Sequence, residues 1–414
     1  MKKIHMITLL TVLAMIAFYG YSQESIDPQQ SIVINVEVPV RVFKDGSFIN
    51  NLTIKDFKIY ENNKLQKIEA VYLVKKRAIE RSEENRRFSP ETNRNFYFFF
   101  EIMNYTPKLG RAVEYFVDNI LFPGDDLTIV TPMKTYQLRS KALEVKSRDE
   151  IVNQLKGLLR KDALIGSSGY RHVIFEMENI VKSLTAEVEQ RELQRVQMDG
   201  QGLAEDPNRF SIGERLLKYS DLQRQLEKLR RLEQDTLLGF ADFLKDKEGQ
   251  KYVYLFYQRE FIPKIEVKTL QYFESQYQER PNIMTAMSDI FNFYRRDISF
   301  DVDLVKKRYA DSSIAVHFLF ISSPKEQKYG IRYQEHSEDI FSAFQEMARA
   351  TGGYVESSAN PEHLFSRAVA SSENYYLLYY TPKKYKPDGK FKDIRVKVKN
   401  KSFRVTHRLG YFAN

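Results

Sequence analysis

The stretch Phe96-Tyr97-Phe98-Phe99-Phe100-Glu101-Ile102 decides how the rest of the chain is read. It is apolar without alternation, rich in aromatics, and preceded by the turn-prone Thr92-Asn93-Arg94-Asn95. Such a run reads as a strand buried on both faces, as in the middle of a parallel sheet. A buried helix gives the same pattern, but the short length and the aromatic content favour the strand. Glu101 then stands where the strand emerges at its carboxyl end, the edge at which open α/β sheets bind ligands.

Outward from this run, Leu109 to Leu121 has helical spacing, and Leu127-Thr128-Ile129-Val130 is a second buried strand. Tyr136 to Val145 reads as a further strand and Ile151 to Leu159 as an amphipathic helix. Gly166-Ser167-Ser168-Gly169 is a flexible loop, and a long helix begins near Tyr170. Tyr252 to Tyr257 and Ile314 to Phe320 are the later buried strands. Strands separated by helices predict a parallel sheet covered on both faces. Between them Glu176 to about Arg195 and Leu216 to Leu244 are charged and helical in period, separated by the glycine-containing span Met198 to Ile212. They read either as an excursion projecting from the core or as long helices packed on the sheet.

The two ends are β in pattern. Val36, Val38, Val40 and Val42 alternate with Glu37, Pro39, Arg41 and Phe43, and Lys44-Asp45-Gly46-Ser47 is a turn signal. Phe57 to Tyr60 and Gln66 to Leu73 follow as strands. Near the other end Tyr375 to Tyr380, Phe391 to Val398 and Phe403 to His407 have strand pattern. Each end is too small to bury a complete core alone, so the two are expected to pair. Lys75 to Asn95 is dense in charge and reads as a solvated linker.

The chain has 414 residues, 43% hydrophobic and 29% charged, which suits a globular protein of two or three domains. Its net charge of +9 is dispersed among interleaved Lys and Glu, so nucleic acid is not the expected partner. Lys2-Lys3, the apolar run Ile7 to Phe18 and Gly20-Tyr21-Ser22 read as a signal peptide over 1–22, cleaved before Gln23. Export to the periplasm or the cell exterior is expected, with no transmembrane segment after removal of the signal. The chain has no cysteine, so disulfides and thiol chemistry are absent.

Taken in order, these motifs resemble bacterial proteins with a von Willebrand factor type A-related domain. The resemblance rests on Val38-Pro39-Val40 with Asp45-Gly46, and on Leu52-Thr53-Ile54-Lys55-Asp56-Phe57-Lys58-Ile59-Tyr60-Glu61. It also rests on Gly124-Asp125-Asp126-Leu127-Thr128-Ile129-Val130-Thr131, Thr351-Gly352-Gly353, Tyr375 to Tyr380 and Arg408-Leu409-Gly410-Tyr411-Phe412. It implies an α/β fold with a doubly wound, mostly parallel sheet of von Willebrand A type, Rossmann-like. A helical insertion over about 176–245 departs from the compact form. The expected layout is β segments at 31–74 and 373–414 forming one β-sandwich-like domain, a charged linker at 75–95, and the A-type domain at 96–372.

The resemblance also implies a divalent-cation site at the carboxyl edge, built from Asp-x-Ser-x-Ser, a Thr and a further Asp. Here Glu101 replaces the Asp, while Met103 and Tyr105 replace the serines. Ser167 or Ser168 stands for the Thr, and Gln258-Arg259 occupies the third loop. A thioether is a poor ligand for a hard cation, and Arg259 adds positive charge. The site reads as degenerate, with no metal and no cofactor, leaving Glu101, Asn104, Ser167, Ser168 and Gln258 as a polar binding site. Beyond the leader, the histidines His172, His317, His336, His363 and His407 form no HExxH spacing, and there is no nucleophile elbow or Gly-rich phosphate loop. His172 beside Ser167-Ser168 is the one pair of note, and His317 reads as a core residue. The expectation is an exported interaction module that binds a protein or envelope partner, not an enzyme. A self-associating structural component and a hydrolase are the alternatives.

Overall fold

The computed structural model describes residues 34–139, 141–197, 209–230, 233–293, 300–322 and 328–414. The expected signal peptide at 1–22 and most of the span from Met198 to Ile212 lie outside the described residues.

Alternating valines set β1 (Val36–Lys44), with all four buried. Asp45 and Gly46, both at positive φ, turn the chain into β2 (Ser47–Phe48). β3 (Phe57–Glu61), β4 (Lys64–Gln66) and β5 (Ile68–Lys75) follow. The charged stretch after Lys75 contains a strand, β6 (Ala78–Glu84), which folds back on β5 through Lys76 at φ 54°. Its side chains are largely exposed at a sheet edge, so backbone pairing makes the strand and no apolar pattern announces it.

The aromatic run forms β7 (Arg94–Glu101), followed by α1 (Pro107–Asn119), β8 (Asp126–Val130) and β9 (Thr135–Leu138). Next come α2 (Ala142–Val145), α3 (Arg148–Gly166), α4 (Ser168–Gln197), α5 (Arg209–Arg230) and α6 (Gln234–Lys245). The chain continues with β10 (Gln250–Gln258), β11 (Phe261–Lys264), α7 (Val267–Gln276), α8 (Pro281–Phe293) and α9 (Val302–Asp311). Then follow β12 (Ile314–Ile321), β13 (Arg332–Glu335), α10 (Glu338–Ala350), β14 (Val355–Ser358) and α11 (Pro361–Ser372). β15 (Asn374–Tyr380), β16 (Phe391–Val398), β17 (Arg404–His407) and β18 (Gly410–Phe412) complete it.

The doubly wound, mostly parallel, Rossmann-like class expected above does not describe this chain. Among the described residues parallel pairing is confined to one six-stranded sheet, ordered β14-β12-β10-β7-β8-β9. That sheet is itself mixed, because β9 pairs antiparallel with β8. The other sheets, of six, four and two strands, are antiparallel throughout, so the fold is mixed α/β. The physical reason lies in the connections. Thr131 closes a tight turn, its N–H donating to the Lys134 carbonyl at 2.9 Å, and a connection this short permits only a hairpin. The segment expected as one strand from Tyr136 to Val145 accordingly splits into β9 and α2. Strands from the two ends interleave in two antiparallel sheets, β17-β1-β15-β5-β6 with β2 paired to β1, and β18-β16-β3-β4.

Side chains on β7 alternate between two cores, as the period of two requires. Phe96, Phe98 and Phe100 pack with α1, α3 and α11; the Phe98 ring lies 4.6 Å from Phe116 and 5.4 Å from Phe365. Tyr97 faces the opposite layer with Leu244, Val316 and Phe344. His317 is buried in β12, stacked on Tyr254 at 4.8 Å, and its Nδ1 accepts from the Tyr354 N–H at 3.2 Å. Burial holds its pKa well below the usual imidazole range.

The long helices carry a core of their own. Met177, Leu184, Leu216, Tyr219 and Leu226 from α4 and α5 pack with Phe273 and Ile290 of α7 and α8. The Tyr219 hydroxyl donates to the Pro263 carbonyl of β11 at 2.5 Å. α6, by contrast, packs Ala241 and Leu244 on the central sheet. Leu216→Ala is therefore expected to cost about 3 kcal/mol, as a cavity in a closed core does, measured by urea unfolding.

Candidate functional site

At the carboxyl ends of β7 and β10 a cleft of about 230 Å³ is lined by Glu101, Ser167, Gln258, Glu260, Tyr257 and Leu229, among others. Parallel pairing of β7 with β10 sets Tyr257 beside Glu101, so both strands deliver polar groups to one mouth. The β7–α1 loop is then fastened from across the sheet. Gln258 Oε1 accepts from the Met103 N–H at 2.9 Å and the Asn104 N–H at 3.0 Å. Thr106 caps α1, its Oγ1 accepting from the Leu109 N–H at 3.3 Å, and the Tyr105 hydroxyl lies over Gly110.

The opposite wall comes from the junction of α3 and α4. The Ser167 hydroxyl, buried, lies 2.9 Å from the Met103 carbonyl and 2.5 Å from the Ala163 carbonyl, to either of which it donates. Gly166 sits so close to Pro132 that a Cβ there would come within 2.8 Å of the proline ring. The β8–β9 hairpin that carries Pro132 is anchored by buried Asp162, which accepts from Thr131 Oγ1 at 2.7 Å and Tyr136 Oη at 2.8 Å. Apolar side chains stay open around this wall: Met133, Ile165 and Leu229 are exposed.

Of the residues singled out in the sequence, the structure brings Glu101, Ser167 and Gln258 into the cleft. Asn104 contributes its backbone N–H while its side chain is exposed, and Ser168 opens α4 on the exposed rim. Sequence reasoning missed Tyr257 and Glu260. The Tyr257 hydroxyl donates to Glu260 Oε1 at 2.6 Å, and the Glu260 carboxylate is the charge that couples to Glu101. The signal was an acid one residue beyond Arg259. Arg259 itself turns away, pairing with Glu335 at 3.0 Å and lying over the Phe320 ring.

Apart from Glu101, the residues that stand at the cation-ligand positions of the resemblance do not fit a divalent cation. Gln258 spends its carbonyl on two loop amides, Ser167 donates to backbone carbonyls, and Met103 offers sulfur. Among the described residues no group of three His, Asp or Glu stands together as a cation site. Ser167 bonds to carbonyls and not to a base, and His172 is exposed on α4, so these two do not form a nucleophilic pair.

Glu101 is one of the two carboxylates in the cleft. Crowding by protein, with the Glu260 carboxylate adding to it, pushes its pKa up to about 7, although its side chain still meets water at the mouth of the cleft. The folded state then holds a proton that the unfolded chain releases near the ordinary value, so this group's contribution to stability falls as pH rises from about 4.5 to about 7. The melting temperature of Glu101→Gln is expected to fall less than that of the parent over this interval, read by thermal denaturation in matched buffers. Equal falls would show that Glu101 has an ordinary pKa.

No described helix is long and apolar enough to cross a membrane. No protein-family model matches the chain, and no curated protein matches it. Among solved structures the chain is similar to the crystal structure of the human COPII-coat protein Sec24c, with 7% sequence identity and a TM-score of 0.28. That likeness covers 78% of this chain and 44% of the other, so the chain spans less than half of that structure's length.

Proposed function

We propose that this chain is an exported interaction module that captures a protein or envelope partner at the β7–β10 cleft without a metal ion. The observation that carries the reading is the cleft's own composition. Two coupled carboxylates, Glu101 and Glu260, share the mouth with the exposed Leu229. Two carboxylates at one mouth suit a basic side chain flanked by apolar residues. Binding such a group favours the ionised form of Glu101, so capture strengthens as pH rises through about 7. The motif resemblance to von Willebrand A-related proteins and the leader pattern of residues 1–22 support an interaction role outside the cytoplasm.

The test uses the immobilised full chain and an envelope extract, alongside Glu101→Gln and Leu229→Glu. A partner retained by the parent, indifferent to chelator, and lost from both variants is the expected result. Retention that survives both substitutions, or that disappears with chelator, would refute the assignment.

A further inference from the structure

A second cavity, of about 530 Å³, lies where β1 and β17 meet the end of α10. Its origin is in the strand period. Antiparallel pairing sets Arg41 opposite Thr406 and Phe43 opposite Arg404, and the period of two turns all four to one face. Arg41 and Phe43, which alternate with the valines of β1, are both buried, Arg41 to 3% exposure. Arg349, exposed on α10, completes a lining that holds three arginines and, among the described residues, no aspartate or glutamate.

Arg41 is held loosely for a buried charge. Its partners among the described residues are the Gly352 carbonyl at 3.4 Å and the Tyr375 ring at 5.7 Å. Among the described residues its Nε has no hydrogen-bond partner, and neither has Thr406 Oγ1 directly across the strand pair. Buried polar groups in native proteins are almost always satisfied, and a buried guanidinium left unpaired is costly. Both atoms are closed off behind the wall, and what characterises the cavity is the positive charge of three arginines with no carboxylate among its described lining residues to balance it.

We propose that this cavity binds a phosphomonoester with a compact apolar body. Guanidinium forks match phosphate oxygens bidentately. Three of them without a carboxylate counter-ion suit a dianion better than a single carboxylate, which would leave most of the charge uncompensated. The volume exceeds what a bare phosphate fills and lies in the range of small-molecule sites. The ring of Phe43, which carries the Arg404 guanidinium at 5.0 Å, and the side chain of Tyr354 supply apolar wall for the remainder.

The full chain titrated calorimetrically with phenyl phosphate, inorganic phosphate and benzoate tests this. Phenyl phosphate is expected to bind most tightly and benzoate at least about tenfold more weakly. Arg349→Ala/Arg404→Ala changes two exposed residues and should leave the fold intact while weakening phenyl phosphate by about tenfold or more. Arg41→Met should abolish the rise in melting temperature that phenyl phosphate gives the parent. No heat from either phosphate up to about 10 mM would overturn the proposal. Equal binding by the parent and the double variant would mean an adventitious ion only. Benzoate binding as tightly as phenyl phosphate would overturn the assignment to a phosphomonoester.

Discussion

Asp125→Ala is expected to lower the unfolding free energy by roughly 3–5 kcal/mol, the cost of stranding a buried charge. Asp125 is 2% exposed and Arg94 3%. The Arg94 Nε donates to Asp125 Oδ1 at 3.1 Å, a second nitrogen meets Oδ2, and the same group reaches the Ile120 carbonyl at 2.7 Å. Asp125 Oδ2 also accepts from the Phe122 N–H at 2.8 Å, so the pair closes the turn that launches β8. The alanine variant leaves the Arg94 guanidinium buried between the Phe96 and Phe122 rings with its main acceptor gone. Arg94→Met should cost about as much for the mirror reason, leaving Asp125 with Arg77 at 3.9 Å. The decisive measurement is the double variant by urea unfolding. Its loss should be clearly smaller than the sum of the singles, because removing both charges removes the stranded one. Additive losses would mean that each residue acts through packing alone.

Gly353→Ala should be comparably severe, at about 3 kcal/mol or more. A Cβ at Gly353 would overlap the backbone carbonyl of Val316 in the central strand β12, and backbone cannot swing aside as a side-chain tip can. The neighbours confine it from every side. Gly352 holds φ 71° with the His407 backbone about 3.1 Å from where a Cβ would stand. Thr351 Oγ1 accepts from the Val316 N–H at 3.0 Å, and the Gly353 N–H donates to the Ala348 carbonyl at 2.8 Å. Three residues thus join α10, β12 and the β17–β18 connection. Thermal unfolding of Gly353→Ala against an exposed-surface control, Gly389→Ala, checks this. Gly389 meets nothing within 4 Å, so its penalty is only that of φ 64°. A Gly353 variant no less stable than the control would show that β12 shifts freely to make room.

Individual strands and helices were legible because burial writes itself into the local pattern. The run from Phe96 to Phe100 is apolar on both faces since both faces are covered, by Phe116 and Phe365 on one side and Leu244 and Phe344 on the other. Strand β6 was not legible, because its residues are exposed and its pairing with β5 leaves no mark on side-chain type. The candidate site was half legible for a related reason. Glu101, Ser167 and Gln258 stand at the ends of elements, where a polar residue breaks an apolar pattern. Glu260 was passed over because its role depends on Arg259 turning outward to Glu335, a choice made by a contact with distant β13.

The sequence by itself determined the position of the buried aromatic strand and the turn at Asp45-Gly46. These follow from hydropathy and backbone freedom, which are properties of single residues and near neighbours. Tertiary structure alone decided that parallel pairing stops at β8, that the long helices close a second core with α7 and α8, and that Arg41 is buried. Pairing direction, core sharing and the fate of a charge are set by residues far apart in the chain. Val40 meets His407 and Arg41 meets Thr406 only once the two ends have come together.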